Sequence, residues 1–212
     1  MNKTFFLTLA ASCCAAANSL SLRAQQGPAL RLNAMVGPKY NDFTSNFGVG
    51  VKPELYTFAL GAGSTFLRNR WLAGSEFYFS SGTKTAGPES LQYVGFNTNL
   101  FVGYNLLPGS SWRLETTVGF STSTNQLIAQ DEQGPAFLNV VNDQAGVTTA
   151  VALLNVNGLG LCTGLKAGYF VPFAGASRWQ YRGSGADAGL RDKVDAFFIQ
   201  LTLGGLINLS KQ

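Results

Sequence analysis

Alternation of apolar and polar residues with a period of two is the feature that most limits what this chain can fold into. It is clearest in the segment that begins at Trp112. Residues of one parity are mostly apolar: Trp112, Leu114, Thr116, Val118 and Phe120. The intervening residues are charged, hydroxylated or small: Arg113, Glu115, Thr117, Gly119 and Ser121. Because successive side chains of a β-strand point to opposite faces, the pattern predicts a strand with one apolar and one polar face.

The composition favours a membrane protein built from such strands. Only 12% of the 212 residues are charged, against about 25% in soluble domains, which indicates a large surface that water does not solvate. After the N-terminus, no uninterrupted apolar stretch approaches the roughly 20 residues of a membrane helix. No proline-rich or charge-rich linker divides the chain, so we expect a single domain.

The N-terminus has the layout of a secretory signal. Met1–Lys3 supplies a positive charge, and the mostly apolar run Phe5–Ala17 supplies a short hydrophobic core. We expect cleavage after Ala24. The prediction is a signal peptide at residues 1–24 and one outer-membrane β-barrel domain at residues 25–212.

Cleavage after Ala17 remains an alternative. Removal of residues 1–24 has two consequences. Loss of Lys3 and Arg23 lowers the formal net charge from +4 to +2, which is not the strongly basic balance of a nucleic-acid-binding protein. Cys162 becomes the only cysteine, so no intramolecular disulfide is expected.

Eight strand-like runs follow, and the segments between them alternate in length. Short segments connect three pairs of runs: residues 67–70, 107–111 and 172–176. Longer polar segments separate the others: residues 38–46, 81–90, 125–149 and a loop around 183–185. Outer-membrane barrels have short periplasmic turns, longer external loops and periplasmic termini. The order therefore predicts an all-β, eight-stranded antiparallel up-and-down transmembrane β-barrel.

Charged residues keep to the face opposite the apolar one. The set comprises Arg31, Glu76, Arg113, Glu115, Lys166, Arg178 and Arg182. Eight strands enclose an interior just wide enough for side chains to fill, and an unpaired buried ion costs several kcal/mol. We therefore expect a filled polar lumen in which Glu76 and Glu115 pair with some of these cations.

The three tryptophans share the apolar parity, and each follows a short segment: Trp71, Trp112 and Trp179. Tryptophan's amphipathic ring favours the membrane interface. We expect all three in a periplasmic aromatic girdle. The stretch Lys52–Glu54 breaks the alternation and is expected at or beyond the external rim.

Residues suited to catalysis or metal binding are scarce. Histidine is absent, no phosphate-cradling motif follows a strand, and carboxylates are scattered. Gly158-Leu159-Gly160 is expected inside a strand, where it relieves lumen crowding, and Cys162 is expected to be an inert lumen thiol. We predict no catalytic, cofactor-binding or metal site and hence no enzyme.

The pattern resembles the small barrels of Gram-negative outer membranes, with an OmpA/OmpX-like architecture. Within that group, Asn69–Phe77 resembles the start of the third strand of the conjugal-transfer TraO family. Gln92-Tyr93, the Leu-Pro-Gly-Ser turn at 107–110 and the final strand with Ile207-Asn208 are similar too. The resemblance implies an envelope component of a conjugative element.

Two classes of function remain open. The first is a non-enzymatic outer-membrane barrel that displays external loops, with membrane lipid, the barrel assembly machinery and other envelope or conjugation proteins as its partners. The second is a secreted, soluble, lipocalin-like barrel that binds an apolar small ligand. A lipocalin carries apolar side chains inward around its ligand, so the two classes differ in which face of the sheet points in.

Overall fold

The computed structural model describes residues 28–43, 55–86, 89–107, 111–131, 136–173 and 175–209. These residues form ten strands: β1 Pro28–Asp42, β2 Leu55–Arg68, β3 Trp71–Ala86, β4 Glu89–Asn105, β5 Trp112–Asp131, β6 Ala136–Val156, β7 Leu161–Pro172, β8 Ser177–Tyr181, β9 Asp187–Asp192 and β10 Asp195–Asn208. The signal peptide expected at 1–24 and the stretch Lys52–Glu54 lie outside the described residues. None of the described segments is a helix with the length and apolar character needed to cross a membrane.

Eight of the strands close into a barrel. Their order around the wall is β5-β4-β3-β2-β1-β10-β7-β6, and β6 pairs with β5 to complete the circle. Every neighbouring pair is antiparallel; β1 joins both β2 and β10, which bonds the two ends of the chain together. The expectation of an eight-stranded antiparallel barrel is confirmed.

The connections fall at two ends of the barrel. At the turn end, β2–β3, β4–β5 and β6–β7 are joined, and at the loop end the chain makes the β1–β2, β3–β4, β5–β6 and β7–β10 connections. The third turn-end connection is residues 157–160 and not the expected 172–176. Asn157 forms it by accepting hydrogen bonds at Oδ1 from the backbone N–H groups of Leu159 and Leu161. Gly160 has a φ of 81°, which suits glycine.

Two further expectations from the sequence are therefore wrong. Gly158-Leu159-Gly160 is a turn and does not lie inside a strand. The polar stretch 125–149 is mostly strand, because β5 and β6 pair from Trp112↔Asn155 up to Gln130↔Ala136. Both faces carry many hydroxyl and amide groups in this stretch, so the period-two signal that identifies a half-apolar strand is lost.

An apolar belt surrounds the outside of the barrel. Its residues point outward and are about half exposed, as in Leu60, Phe79, Phe96, Phe120 and Leu201. Two pairs of outward hydroxyls bond each other across neighbouring strands: Thr98 with Thr122 at 2.7 Å and Ser64 with Ser75 at 3.4 Å. Such pairing satisfies polar groups on a face without water.

Part of the wall continues beyond the belt at the loop end. This projecting wall consists of residues 81–86, 89–93, 123–131 and 136–144. Most of its outward positions are polar, among them Thr83, Gln92, Thr124, Gln126 and Asp143. β6 therefore has a long upper part, because its pairing with β7 ends at Gly146↔Pro172.

Apolar side chains inside the barrel form packed clusters at its two ends. At the turn end, Ala29, Leu67 and Leu72 form one cluster and Ala152, Leu154 and Cys162 form another. The loop-end cluster is larger and comprises Phe43, Leu91, Tyr93, Leu127, Ala129, Val140, Trp179 and Val194. Gly95 makes room for the Tyr93 ring, since a Cβ at this position would overlap the Tyr93 hydroxyl. Between the two ends, polar and charged groups share the lumen with apolar side chains such as Met35, Phe101, Phe170 and Phe198.

Candidate functional site

Arg31 and Glu115 form a bidentate ion pair across the lumen. Arg31 Nη1 and Nη2 donate to Glu115 Oε1 and Oε2 at 2.6 and 2.7 Å, and both side chains are buried. β1 and β5 lie on different sides of the barrel, so the pair connects walls that are not neighbours. Two parallel charge-assisted bonds of this kind fix geometry as well as adding energy.

Glu76 is the centre of a second buried cluster. Lys166 Nζ donates to both of its carboxylate oxygens at 2.5 Å. The Tyr78 hydroxyl donates to Glu76 Oε2 at 2.6 Å and Asn99 Nδ2 donates to the same oxygen at 3.2 Å. Gly61 leaves space for the Tyr78 ring, which a Cβ there would overlap. Three strands thus converge on one carboxylate.

Two other lumen residues expected from the sequence lie close to this charged layer. Arg113 is buried on β5, on the same face as Glu115. Cys162 is a buried free thiol in a turn-end apolar cluster. The sequence thus brings Arg31, Glu76, Arg113, Glu115 and Lys166 into the lumen.

Arg178 and Arg182 lie elsewhere, and their expected place in the lumen is wrong. Both are exposed at the loop end, where Arg178 Nη1 lies 3.5 Å from Asp187 Oδ2 and Arg182 Nη1 donates to Gln126 Oε1 at 2.7 Å. The reason is the connection at 172–176. It belongs to the loop end, so the residues after it stand above the belt and point their charges into water.

Two of the three tryptophans occupy the outer face at the turn end. Trp71 is 65% exposed and Trp112 is 49% exposed. The Trp71 ring meets the Tyr104 ring edge-on, with centroids 5.3 Å apart. Trp179 does not join them: it is 0% exposed and lies in the loop-end cluster. Its assignment to the turn-end girdle is therefore wrong, for the same reason as that of Arg178 and Arg182.

A strap formed by residues 175–194 holds Trp179 in place. Strands β8 and β9 form its hairpin, and β8 adds to the free upper edge of β6 through Val140↔Tyr181 and Val141↔Gln180. Below this point β6 pairs with β7; above it, β6 pairs with the strap. The strap closes the gap that β7 leaves when it ends.

Side chains fasten the strap on both faces of the wall. Outside, Arg182 donates to Gln126, and Gln126 Nε2 donates to Asn139 Oδ1 at 2.9 Å. Inside, Gln144 Nε2 donates to the Asp192 carbonyl at 3.0 Å, and Gln144 Oε1 accepts from the Val194 backbone N–H at 3.2 Å. The strap is therefore a fixed part of the loop end.

The lumen between these layers is filled. Two small cavities lie within it, with volumes of about 30 Å³ and 20 Å³, room for roughly one or two waters each. The loop-end cluster lies over one of them. Its member Tyr93 extends toward the lumen and donates to Asn125 Oδ1 at 2.7 Å. Over the residues that the structure describes, the barrel is a packed interior and not an open channel.

The direction of the two faces argues against a lipocalin-like barrel. A soluble barrel that binds an apolar ligand needs an apolar cavity and a solvated outer wall. Here the outer wall is an apolar belt, and the middle of the lumen carries two ion pairs. In the described part of the chain, no three His, Cys, Asp or Glu side chains are grouped so that they could hold a metal ion.

Lys39 is a buried lumen residue that the sequence interpretation missed. The sequence predicts a polar connection at 38–46, which includes Lys39, but β1 continues to Asp42. Its parity is that of Arg31, and this continued alternation through Asn33, Met35 and Gly37 is the signal that identifies it.

Solved structures with the same fold are outer-membrane barrels. OprG from Pseudomonas aeruginosa is 10% identical and superposes with a TM-score of 0.55 over 89% of this chain and 100% of that chain. A major outer membrane protein from Thermus thermophilus is 11% identical, with a TM-score of 0.53 over 86% and 99%. The attachment invasion locus protein Ail of Yersinia pestis is 9% identical, with a TM-score of 0.52 over 86% and 100%. The likeness is one of fold.

No protein-family model matches the sequence, and no curated protein matches it either.

Proposed function

We propose that this protein is an integral outer-membrane β-barrel that does not conduct or catalyse and that presents a rigid loop-end surface outside the cell. The observation that carries the proposal is the separation of faces: an apolar belt outside and paired charges inside. Only a bilayer gives that arrangement a favourable solvent on the outside, since exposed apolar patches of this extent are rare on soluble proteins.

The orientation follows from the connections. Short turns of bacterial barrels face the periplasm, so the turn end with Trp71 and Trp112 is periplasmic in this proposal. The projecting wall and the strap then stand outside the membrane, where polar outward residues such as Gln126 and Asp143 meet water. Over the residues that the structure describes, the surface offered to a partner is built from the strands of the projecting wall and the strap.

Membrane fractionation tests this proposal. The full chain, expressed with its own N-terminus in a Gram-negative host, is expected in the outer-membrane fraction. Without boiling it should migrate differently on a denaturing gel from the boiled sample, since closed barrels resist detergent. A chain that stays soluble without detergent would remove the proposal. N-terminal sequencing of the same material tests export and cleavage after Ala24.

The absence of conduction is tested separately. Purified protein reconstituted in planar bilayers is expected to give no ion current above that of bilayers alone, because the lumen is packed. Steady single-channel openings would contradict this part of the proposal and leave the membrane location intact.

A role in conjugation is the finer part of the proposal. Its support is the resemblance of Asn69–Phe77 to the TraO family. No family model matches the sequence. Deletion of the gene in a strain that carries a conjugative element is expected to lower mating frequency, with restoration by the intact gene. Unchanged mating would sink the role in conjugation and leave the barrel assignment standing.

A further inference from the structure

Lys39 differs from the other buried cations of the lumen. Its side chain is 6% exposed, and its Nζ donates to Asn97 Oδ1 at 2.7 Å across the barrel. Arg31 and Lys166 each bind a glutamate. Among the described residues, Lys39 has no carboxylate partner.

A cavity of about 30 Å³ lies beside Lys39. Polar residues from four strands line part of it: Asn97, Asn99, Ser121, Thr148 and Gln200. The Asn97 amide uses its oxygen to accept from Lys39, so its N–H₂ group remains as a donor. The space exceeds the roughly 10 to 15 Å³ that one water needs, which is enough for a single halide-sized ion.

Gln200, on the neighbouring strand β10, is a second unusual residue of the cavity lining. It is buried, and its Oε1 has no hydrogen-bond partner. The oxygen and nitrogen of a side-chain amide exchange places when the amide turns by 180°. In the turned orientation the Gln200 N–H₂ group takes the place of the unpartnered oxygen, which adds donors to the residues that line the cavity.

An uncompensated ammonium in this position is costly. A buried charge without a partner costs several kcal/mol, and natural proteins pair or neutralise such charges. The residues around the cavity are amides, hydroxyls and apolar side chains such as Ala59, Phe170 and Phe198, and none of them carries a negative charge. An anion that enters the cavity supplies the missing charge and gives the amide donors an acceptor.

We propose that Lys39, with the Asn97 and Gln200 amides, binds one small monovalent anion of halide size inside the lumen. The site lies between the Glu76–Lys166 ion pair on the turn side and the Tyr93–Asn125 hydrogen bond on the loop side. Since the loop-end cluster lies above it, the anion enters while the barrel closes. The site does not depend on the membrane location or on the role in conjugation.

The experiment uses bromide as the probe. The full chain is refolded in detergent in sodium bromide or, at equal ionic strength, in sodium gluconate, whose anion is too large for the cavity. The wild type is expected to unfold at a higher urea concentration in bromide, because a ligand that binds only the folded state stabilises it. Lys39→Met is expected to lose that difference. Lys193→Met, which removes a partly exposed lysine, is the matched control and should keep it.

Diffraction gives the direct measurement. Crystals of protein that was both refolded and crystallised in bromide are expected to show an anomalous peak within hydrogen-bond distance of Lys39 Nζ, and Lys39→Met crystals prepared in the same way should lack it. Equal urea midpoints in the two salts for the wild type would overturn the proposal. So would density for water alone beside Lys39, which would mean that the lysine is neutral and solvated.

Discussion

The turn half and the loop half of the lumen are closed by different means. In the turn half, residues of the barrel wall close the lumen themselves, through two apolar clusters at the end and the Arg31–Glu115 and Glu76–Lys166 ion pairs further in. In the loop half, the closing side chain is Trp179, which belongs to a strap outside the eight-stranded circle. The first closure uses wall residues alone, and the second depends on a residue that the strap supplies.

The difference indicates which residues determine the stability of the whole barrel and which affect only the loop end. A wall residue cannot leave the lumen unless the barrel opens, so its loss is felt by the whole fold. A strap residue can leave while the eight strands remain paired. Substitutions in the two halves should therefore separate global stability from local order at the loop end.

Glu115→Gln is expected to have the largest effect. It removes the charge of Glu115 and leaves the Arg31 guanidinium buried without a counter-charge, which costs about 3 to 5 kcal/mol in comparable pairs. The free energy of unfolding, measured in urea with protein in detergent micelles, should fall by that amount. Replacing both residues, Arg31→Met with Glu115→Leu, should recover most of it. A Glu115→Gln variant as stable as the wild type would mean that the turn half is not held by this pair.

Trp179→Ala is expected to have the next largest effect, confined to the loop end. Truncation of a buried tryptophan costs about 3 kcal/mol or more, and the strap can respond by detaching from β6. Proteinase K should then cut within residues 175–194 while the unboiled barrel keeps its gel mobility. Trp112→Ala serves as the control and should leave the strap protected. Loss of the folded gel band in Trp179→Ala would show that the two halves are not independent.

Arg182→Ala is expected to weaken the strap by less. The lost bond to Gln126 lies at the surface, where such a hydrogen bond contributes about 0.5 to 1.5 kcal/mol. Amide hydrogen exchange of the strap should become faster by a few-fold, most clearly for the Arg182 N–H that donates to the Asn139 carbonyl. Exchange in β1 and β10 should not change. Equal acceleration throughout the barrel would contradict the separation of the two halves.

Tryptophan fluorescence is expected to show the smallest effect on stability, and it tests where each tryptophan lies relative to the bilayer. Variants that keep one tryptophan each, with the other two changed to phenylalanine, are reconstituted in vesicles with brominated acyl chains. Trp71 and Trp112 point out of the turn end and should be quenched. Trp179 is enclosed by the loop-end cluster and should keep its intensity. Strong quenching of Trp179 would place the strap inside the bilayer.

The sequence was sufficient wherever the two faces of a strand meet different surroundings. Within the belt, alternation identified β1, β3, β4, β5 and β10, and it placed the buried charges Arg31, Glu76, Glu115 and Lys166 on the inner face. In that part of the barrel, burial in the lumen and exposure to an apolar medium impose opposite chemistry on odd and even positions. Whether a residue sits at an odd or an even position of the strand then predicts whether its side chain points into the lumen or out of the barrel.

It failed where both faces meet water or polar groups. Above the belt, both faces of β5 and β6 mix amides and hydroxyls with apolar residues, so neither face of the segment 125–149 is uniformly apolar. Leu127, Ala129 and Val140 point inward beside polar residues of the same face. In the strap the relation between face and residue type is the opposite of that in the belt. The strap stands above the belt, so its outward face meets water and carries Arg178, while Trp179 points inward. Lys39 escapes the pattern for a related reason: the polar residues after Gly37 predict the end of β1, whereas the strand continues to Asp42.

The change of partner along β6 has a consequence for how this barrel can be modified. β6 pairs with β7 up to Gly146 and then with the strap at Val140 and Val141, so the strap is an exchangeable unit. A transplanted hairpin between Pro172 and Asp195 would need only a short strand for this edge and one large apolar side chain in place of Trp179. The loop end can therefore acquire a new recognition surface without any change in the eight strands beneath it.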